Sequence, residues 1–195
     1  AAVSAHEADR NRDGETTDEW RRLADLAVSL REARPAMPVV RNRINRVMAA
    51  ASRYGGARAV EHAATAGIEE ALGADERTAA RAADRIARAR VATLSRSGTV
   101  REALSQADPA AVLVAESRPG REGVAVAESV AAEADVTLTT DAALAHAVDE
   151  WGADAVLVGA DAVHADGSVV NKAGTRTVAL AGTHEGIEVI VAAAT

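Results

Sequence analysis

From Val91 onward, short apolar runs alternate with segments of helical character, and this alternation constrains the fold more than any other feature of the sequence. Such runs are typical of strands that other elements cover on both faces. They lie at 91–94, 111–115, 136–138, 155–158 and 187–191. The helical segments between them lie at 99–106, 123–132, 142–150 and 172–184. The alternation predicts an α/β domain over residues 91–195, with a Rossmann-like parallel sheet and helices on both faces.

Apolar residues recur at helical spacing through most of residues 18–90, which predicts a small N-terminal helical domain. Its last two helices are expected at about 57–72 and 75–90, because Gly73 is a typical helix stop. Residues 1–17 have no apolar period, and we expect a polar linker or a frayed segment there.

Composition argues against several classes of function. The 195 residues include no cysteine, which excludes disulfides and thiolate metal sites, and the five histidines show no metal-ligand spacing. No Gly-x-Gly-x-x-Gly motif follows a strand, so a bound dinucleotide is not indicated. On these grounds we expect neither a metal nor a cofactor. A net charge of −7 argues against direct nucleic-acid binding. No apolar run approaches the roughly 20 residues that span a membrane, and we expect a cytoplasmic protein.

The stretch 156–175 places polar residues beyond the carboxyl end of a predicted strand. Asp161 lies where open α/β sheets bind their ligands, although a structural carboxylate bonded to loop amides is an alternative. An Asp-Gly pair at 166–167 is typical of a hairpin turn. Asn171 and Lys172 are expected to open a helix, whose N-terminus attracts anions. Lys172 is the only lysine, a feature that fits either compositional chance or a phosphate contact.

A second candidate for anion binding follows the first predicted strand. Small hydroxyls, a glycine and an arginine come just before a helix there, as Ser95, Arg96, Ser97, Gly98 and Thr99. Backbone N–H groups, hydroxyl donors and the helix dipole would then point at one phosphate. The alternative is an ordinary loop in which serine or threonine caps the helix.

Two further loops carry charged residues after predicted strands. Arg118 lies in the loop after the second strand, where a guanidinium suits bidentate phosphate contacts, or is simply solvated. Asp141 follows the third strand, and we expect it to cap the helix that comes next.

Several of these motifs together resemble the translation initiation factor 2B-related family. The matching residues are Gly159-Ala160-Asp161, Asp166-Gly167, Asn171-Lys172-x-Gly174-Thr175 and Glu116-Ser117-Arg118-Pro119. The family includes the alpha, beta and delta regulatory subunits, their archaeal relatives, methylthioribose-1-phosphate isomerase and ribose-1,5-bisphosphate isomerase. The resemblance is close over 91–195 and loose over 18–90, and suggests an archaeal-type protein.

The resemblance implies roles for the residues singled out above. It implies a sugar-phosphate loop at 95–99, a phosphate contact by Arg118, a catalytic acid at Asp161, and Asn171 and Lys172 at the same site. It also implies a homodimer, or a pair with a related subunit. One departure leaves it open whether the chain is an enzyme: the family's isomerases have a catalytic cysteine where this chain has Ser95. A serine hydroxyl does not ionise near neutral pH and is a poorer proton carrier.

These features favour a regulatory protein that binds a phosphorylated sugar or nucleotide. The alternative is an aldose–ketose isomerase acting on a sugar phosphate such as ribose 1,5-bisphosphate. In that case Asp161 is the acid/base, and Ser95 or a water replaces the cysteine.

Overall fold

The computed structural model describes residues 2–35 and 37–194, with side chains from Thr17 onward. Residues 1 and 195, which end two of the predicted domain ranges, lie outside this described part. By their contacts the residues form two compact units, one up to Leu72 and one from Gly73.

The first unit is helical, as the sequence predicts. It contains α1 (Ala2–Glu32), α2 (Pro38–Ala51) and the beginning of α3 (Gly56–Ile86), and α1 packs against α2. Helix α1 begins at Ala2, whereas a linker or frayed segment was expected up to residue 17. Alanine, glutamate and arginine are good helix formers. The missing apolar period therefore did not exclude a helix in this segment.

Helix α3 continues through Gly73, and the predicted end at 72 is wrong. A glycine inside a helix costs roughly 1 kcal/mol relative to alanine, which neighbouring helix formers can offset. Alanine-rich sequence on both sides of Gly73 does so here.

The second unit contains the predicted parallel sheet, and its Rossmann-like class is confirmed. Its strand order is β3-β2-β1-β4-β7, and every neighbouring pair is parallel. A separate antiparallel hairpin pairs β5 with β6, as the Asp-Gly pair predicted. The strands are β1 (Arg90–Leu94), β2 (Ala111–Ala115), β3 (Val136–Thr139), β4 (Ala155–Gly159), β5 (Ala162–Val163), β6 (Val169–Val170) and β7 (Glu188–Ala192).

Helices cover both faces of this sheet. They are α4 (Gly98–Ala107), α5 (Glu122–Val130), α6 (Leu144–Glu150) and α7 (Thr175–His184). One buried cluster joins the end of α3, α4 and α5 to one face, and a second joins α6 and α7 to the other. Both clusters consist of alanine, valine, leucine and isoleucine, as a chain without phenylalanine requires.

The amino end of the sheet is held by a clamp around Arg90. Its guanidinium lies 4.0 Å from the ring centroid of Trp151 and donates to the carbonyl oxygens of Trp151 and Gly152 at 2.6 and 3.0 Å. Its backbone N–H donates to the Asp154 carboxylate at 2.8 Å. These contacts tie the end of α6 to β1. Among the described residues, no helix has the length and apolarity to cross a membrane.

Candidate functional site

The strand order places the candidate site between β1 and β4. The chain leaves β1 towards β2 on one side and leaves β4 towards β7 on the other. Open α/β sheets bind ligands at the carboxyl ends of strands where the order reverses in this way. The loops that follow Leu94 and Gly159 therefore flank the expected crevice. They also touch, because a Cβ added to Gly159 would lie 2.8 Å from Ser97 Oγ.

Ser97 caps α4, and the helix presents free amides to the crevice. The Ser97 hydroxyl accepts from the Val100 N–H at 3.3 Å, so the ordinary capping role is met. The N–H groups of Gly98 and Thr99 have no acceptor among the described residues. Unsatisfied amides and the positive end of the helix dipole attract an anion. Arg96 is exposed beside them.

Ser95 lies in an unusual backbone conformation with a buried hydroxyl. Its φ is +60, in the left-handed region that non-glycine residues rarely adopt, and the residue is 6% exposed. Its Oγ has no hydrogen-bond partner, and neither has Oγ1 of Thr93, which lies two residues earlier in β1. A buried hydroxyl without a partner costs about 1–3 kcal/mol and calls for an explanation, such as a bound molecule.

Asp141 binds the loop after β2 and does not cap α6, contrary to expectation. Its two carboxylate oxygens accept from the N–H groups of Ser117 and Arg118 at 2.8 and 2.7 Å. Helix α6 begins at Leu144 and has no side-chain cap. Adjacent parallel strands end at the same edge of the sheet, so a carboxylate after β3 can reach the loop after β2. Consecutive backbone N–H groups of this kind form a concave anion-binding site called a nest. In this loop the anion is the carboxylate of Asp141.

Ser117 connects this loop to Ser95. Its φ is +62, close to that of Ser95. Ser95 directly follows β1, and Ser117 comes two residues after the end of β2. Ser117 Oγ accepts from the Ser95 N–H at 2.7 Å and donates to the carbonyl of Ala115 at 3.2 Å. Hydrogen bonds thus join the ends of β1, β2 and β3 through Ser95, Ser117 and Asp141.

Arg118 has a partner within its own loop. Its Nε lies 3.0 Å from a carboxylate oxygen of Glu116, and its side chain is 59% exposed. The Glu116 side chain is only 19% exposed, so the Arg118 guanidinium is the end of the pair that solvent and a competing anion can reach.

Asp161 follows β4 with an exposed side chain, and its backbone N–H donates to the carbonyl of Val170 at 2.8 Å. Within the described part of the chain its carboxylate has no hydrogen-bond or ion-pair partner. The alternative of a carboxylate bonded to loop amides therefore describes Asp141, not Asp161.

The hairpin beyond Asp161 is tightened by Asp166. Its carboxylate accepts from both Oγ and N–H of Ser168, at 2.7 and 2.9 Å. These bonds, the hydroxyl one first, lower the pKa of Asp166 below its ordinary value.

Asn171 and Lys172 precede α7, which begins at Thr175 and not at residue 172 as predicted. Asn171 Nδ2 donates to the Thr175 hydroxyl at 3.0 Å, and Lys172 is exposed. Gly174 has φ +95, which lets the chain turn into the helix, and a Cβ there would lie 4.0 Å from Leu94 Cδ1. The start of α7 therefore lies beside the end of β1.

Within the described residues, contacts join some predicted site residues and leave others apart. Ser97 touches the end of β4, and Ser95 joins the hydrogen-bonded set with Ser117 and Asp141. Among the described residues, no hydrogen bond or ion pair joins the side chains of Arg96, Lys172 and Asp161. From the sequence, Ser117 was noted only as part of the motif at 116–119, and no role of its own was assigned to it.

The fold and these strand-end loops define a Rossmann-like α/β protein with a candidate anion site. The model of the initiation factor 2 subunit family matches residues 2–195. The chain therefore belongs to this family, as its motifs suggested.

Two curated relatives are isomerases. The methylthioribose-1-phosphate isomerase of Xylella fastidiosa (strain M23) is 36% identical over 98 residues, 49% of this chain and 28% of the relative. The ribose 1,5-bisphosphate isomerase of Haloterrigena turkmenica is 42% identical over 84 residues, 43% of this chain and 25% of the relative. The matches thus span only 28% and 25% of the length of these two curated relatives.

Solved structures from the same family share the fold. The translation initiation factor eIF-2B of Pyrococcus horikoshii OT3 superposes with a TM-score of 0.79 at 26% identity, over 91% of this chain and 65% of that chain. The tetrameric eIF2B beta–delta complex of C. thermophilum gives a TM-score of 0.71 at 22% identity, over 88% of this chain and 62% of its own. The second of these solved structures is itself a complex of four subunits.

Proposed function

We propose that this chain binds a phosphorylated sugar or nucleotide in a regulatory role, with the phosphate at the N-terminus of α4. The observation that carries the proposal is the pair of free amides at Gly98 and Thr99 beside the buried, unpartnered hydroxyl of Ser95. The amides suit phosphate oxygens, and the hydroxyl gains a partner when a ligand fills the crevice.

Cationic side chains near the crevice support an anionic ligand. Arg96 adjoins the free amides, and Lys172 precedes the helix whose start lies beside β1. Neither side chain has a partner in the described part of the chain. Arg118 is a third candidate, released from Glu116 when a phosphate competes for it. Asn171 would orient the same segment through its bond to Thr175.

The surroundings of Asp161 support the regulatory role. Moving a proton between adjacent carbons needs an acid/base pair. Asp161 has no acid/base neighbour within hydrogen-bond distance among the described residues, and Ser95 stands where the family's isomerases carry cysteine. Binding without turnover needs neither group. The expected partner protein is a second copy of the chain or a related subunit.

The second candidate is an aldose–ketose isomerase acting on a sugar phosphate such as ribose 1,5-bisphosphate. It is favoured by the identity of 36% and 42% to two isomerases, and by the free Asp161 carboxylate at the end of β4. Asp161 would act as the acid/base, with Ser95 or a water in place of cysteine. Apo geometry alone does not exclude such a role, because catalytic hydrogen bonds often tighten only in the complex.

Calorimetric titration with ribose 1,5-bisphosphate and with AMP, followed by product analysis, separates the two candidates. The regulatory role predicts binding without product, and weaker binding in Arg96→Gln. Arg101→Gln is the matched control, since Arg101 is an exposed arginine within α4, whereas Arg96 precedes the helix cap. Product that disappears in Asp161→Asn would establish the isomerase instead. No binding of either compound would contradict both.

A further inference from the structure

We propose that Asp141 is a positioning residue for the anion site, acting through Ser117 on the backbone of Ser95. The consequence for ligand binding rests on the proposed function, whereas the effect on Ser95 does not. Among the described residues, the hydrogen bonds of the Asp141 carboxylate all come from the amides of the loop after β2.

The first step is the effect of Asp141 on Ser117. Ser117 has φ +62, and a left-handed non-glycine residue persists only where its surroundings hold it. Asp141 supplies that support with two bonds, at 2.8 Å to the Ser117 N–H and at 2.7 Å to the Arg118 N–H. Charged acceptors make stronger bonds than neutral ones. Asp141 therefore holds both of the peptide units that flank the Cα of Ser117.

The second step is the effect of Ser117 on Ser95. Ser117 Oγ lies 2.7 Å from the Ser95 backbone nitrogen, and this is the shorter of the two hydrogen bonds that the Ser117 hydroxyl makes. Ser95 is itself left-handed, at φ +60, and its N–H has this one acceptor among the described residues. The hydroxyl of Ser117, in the loop after β2, thus sets the direction in which the chain continues after the end of β1.

The third step is the effect on the anion site. Ser95 precedes the cap of α4 by two residues, and its own buried Oγ has no partner. A shift of Ser95 moves both that hydroxyl and the free amides that follow it. Asp141 thereby controls a site on a different loop, two strands away in the sheet.

The ligand-free test measures the Ser95 amide by ¹⁵N NMR and hydrogen exchange. We expect Asp141→Ala to shift this resonance and to speed its exchange about tenfold, as loss of one protecting bond predicts. Asp141→Asn keeps one carbonyl acceptor and should lie between the wild type and the alanine variant. Asp149→Ala, which removes an exposed carboxylate without described side-chain bonds, is the control. A Ser95 amide that is equal in Asp141→Ala, Asp141→Asn and the control would overturn the proposal.

The ligand test is a double-mutant cycle with ribose 1,5-bisphosphate as the probe. Asp141→Ala and Ser117→Ala should each raise Kd about fivefold, and the double variant should be no weaker than the weaker single variant, since coupled residues are non-additive. If the two increases in Kd instead multiply in the double variant, Asp141 and Ser117 act independently, which would contradict the proposal. If the wild type binds no ribose 1,5-bisphosphate, the proposed ligand fails and the amide measurement alone decides about Asp141.

Discussion

Gly159, the last residue of β4, lies close to Ser97 in the loop after β1. A Cβ at this position would lie 2.8 Å from Ser97 Oγ and 2.9 Å from Ser97 Cβ. We expect Gly159→Ala to lower the free energy of unfolding by about 1–3 kcal/mol, the usual cost of overpacking, and to displace the α4 cap. Gly98→Ala is the control, because nothing lies within 4 Å of its added Cβ. Urea unfolding of both variants measures the difference. Equal stability would show that the loops do not touch.

At the residue scale, the sequence predicts side chains that act within their own loop better than those that act across loops. The cap at Ser97 and the turn at Asp166 depend on neighbours within three residues, which the sequence shows directly. Asp141 was expected to act locally as well, and it binds Ser117 and Arg118 instead. Its partners lie in the loop after β2, which comes close to the loop after β3 only in the folded sheet. The sequence around Asp141 therefore carried no local signal for them.

The hairpin of β5 and β6 gives a prediction of pH dependence. Ser168 lowers the pKa of Asp166, so this carboxylate stabilises the turn above its ordinary pKa of 3.8, and the contribution is lost as pH falls through the lowered value. In Ser168→Ala the pKa of Asp166 should rise towards the ordinary value. An NMR titration of the Asp166 carboxyl measures this directly. A pKa that stays low in Ser168→Ala would mean that another group holds the charge.

Helix α3 gives a prediction about its glycines. If α3 is continuous through Gly73, alanine there should raise the free energy of unfolding by about 0.5–1 kcal/mol, because glycine disfavours a helix interior. The nearest atom to an added Cβ is the end of the flexible Arg77 side chain, at 3.1 Å. Gly67→Ala is the reference, since that position is helical in both the predicted and the observed element. A gain for Gly67→Ala with a loss for Gly73→Ala would favour two separate helices.

The whole molecule shows why the sheet was easier to predict than the helical part. Apolar strands buried on both faces stand out in sequence, and the predicted strands differ from the observed ones by about one residue at their ends. In the helical unit, Ala51 is the only residue recorded as buried among the described side chains up to Leu72. Where few side chains are buried, the spacing of apolar residues constrains the ends of helices only weakly. The sequence therefore did not indicate where α1 begins or that α3 is continuous.

The extent of the sheet unit itself can be tested along α3. Ile86 is 0% exposed and lies in the buried cluster of β1 and β2, whereas Ile68 on the same helix is 61% exposed. We expect Ile86→Ala to cost about 2–5 kcal/mol, and Ile68→Ala to change stability by less than about 0.5 kcal/mol. Denaturant unfolding of both variants, followed by circular dichroism, measures the two costs. A small effect of Ile86→Ala would place the boundary near residue 90, as the sequence suggested, because the end of α3 would then contribute no core. A large effect would instead make the last turns of α3 a part of the unit that carries the candidate site, and any shorter version of the sheet domain would lack one layer of its core.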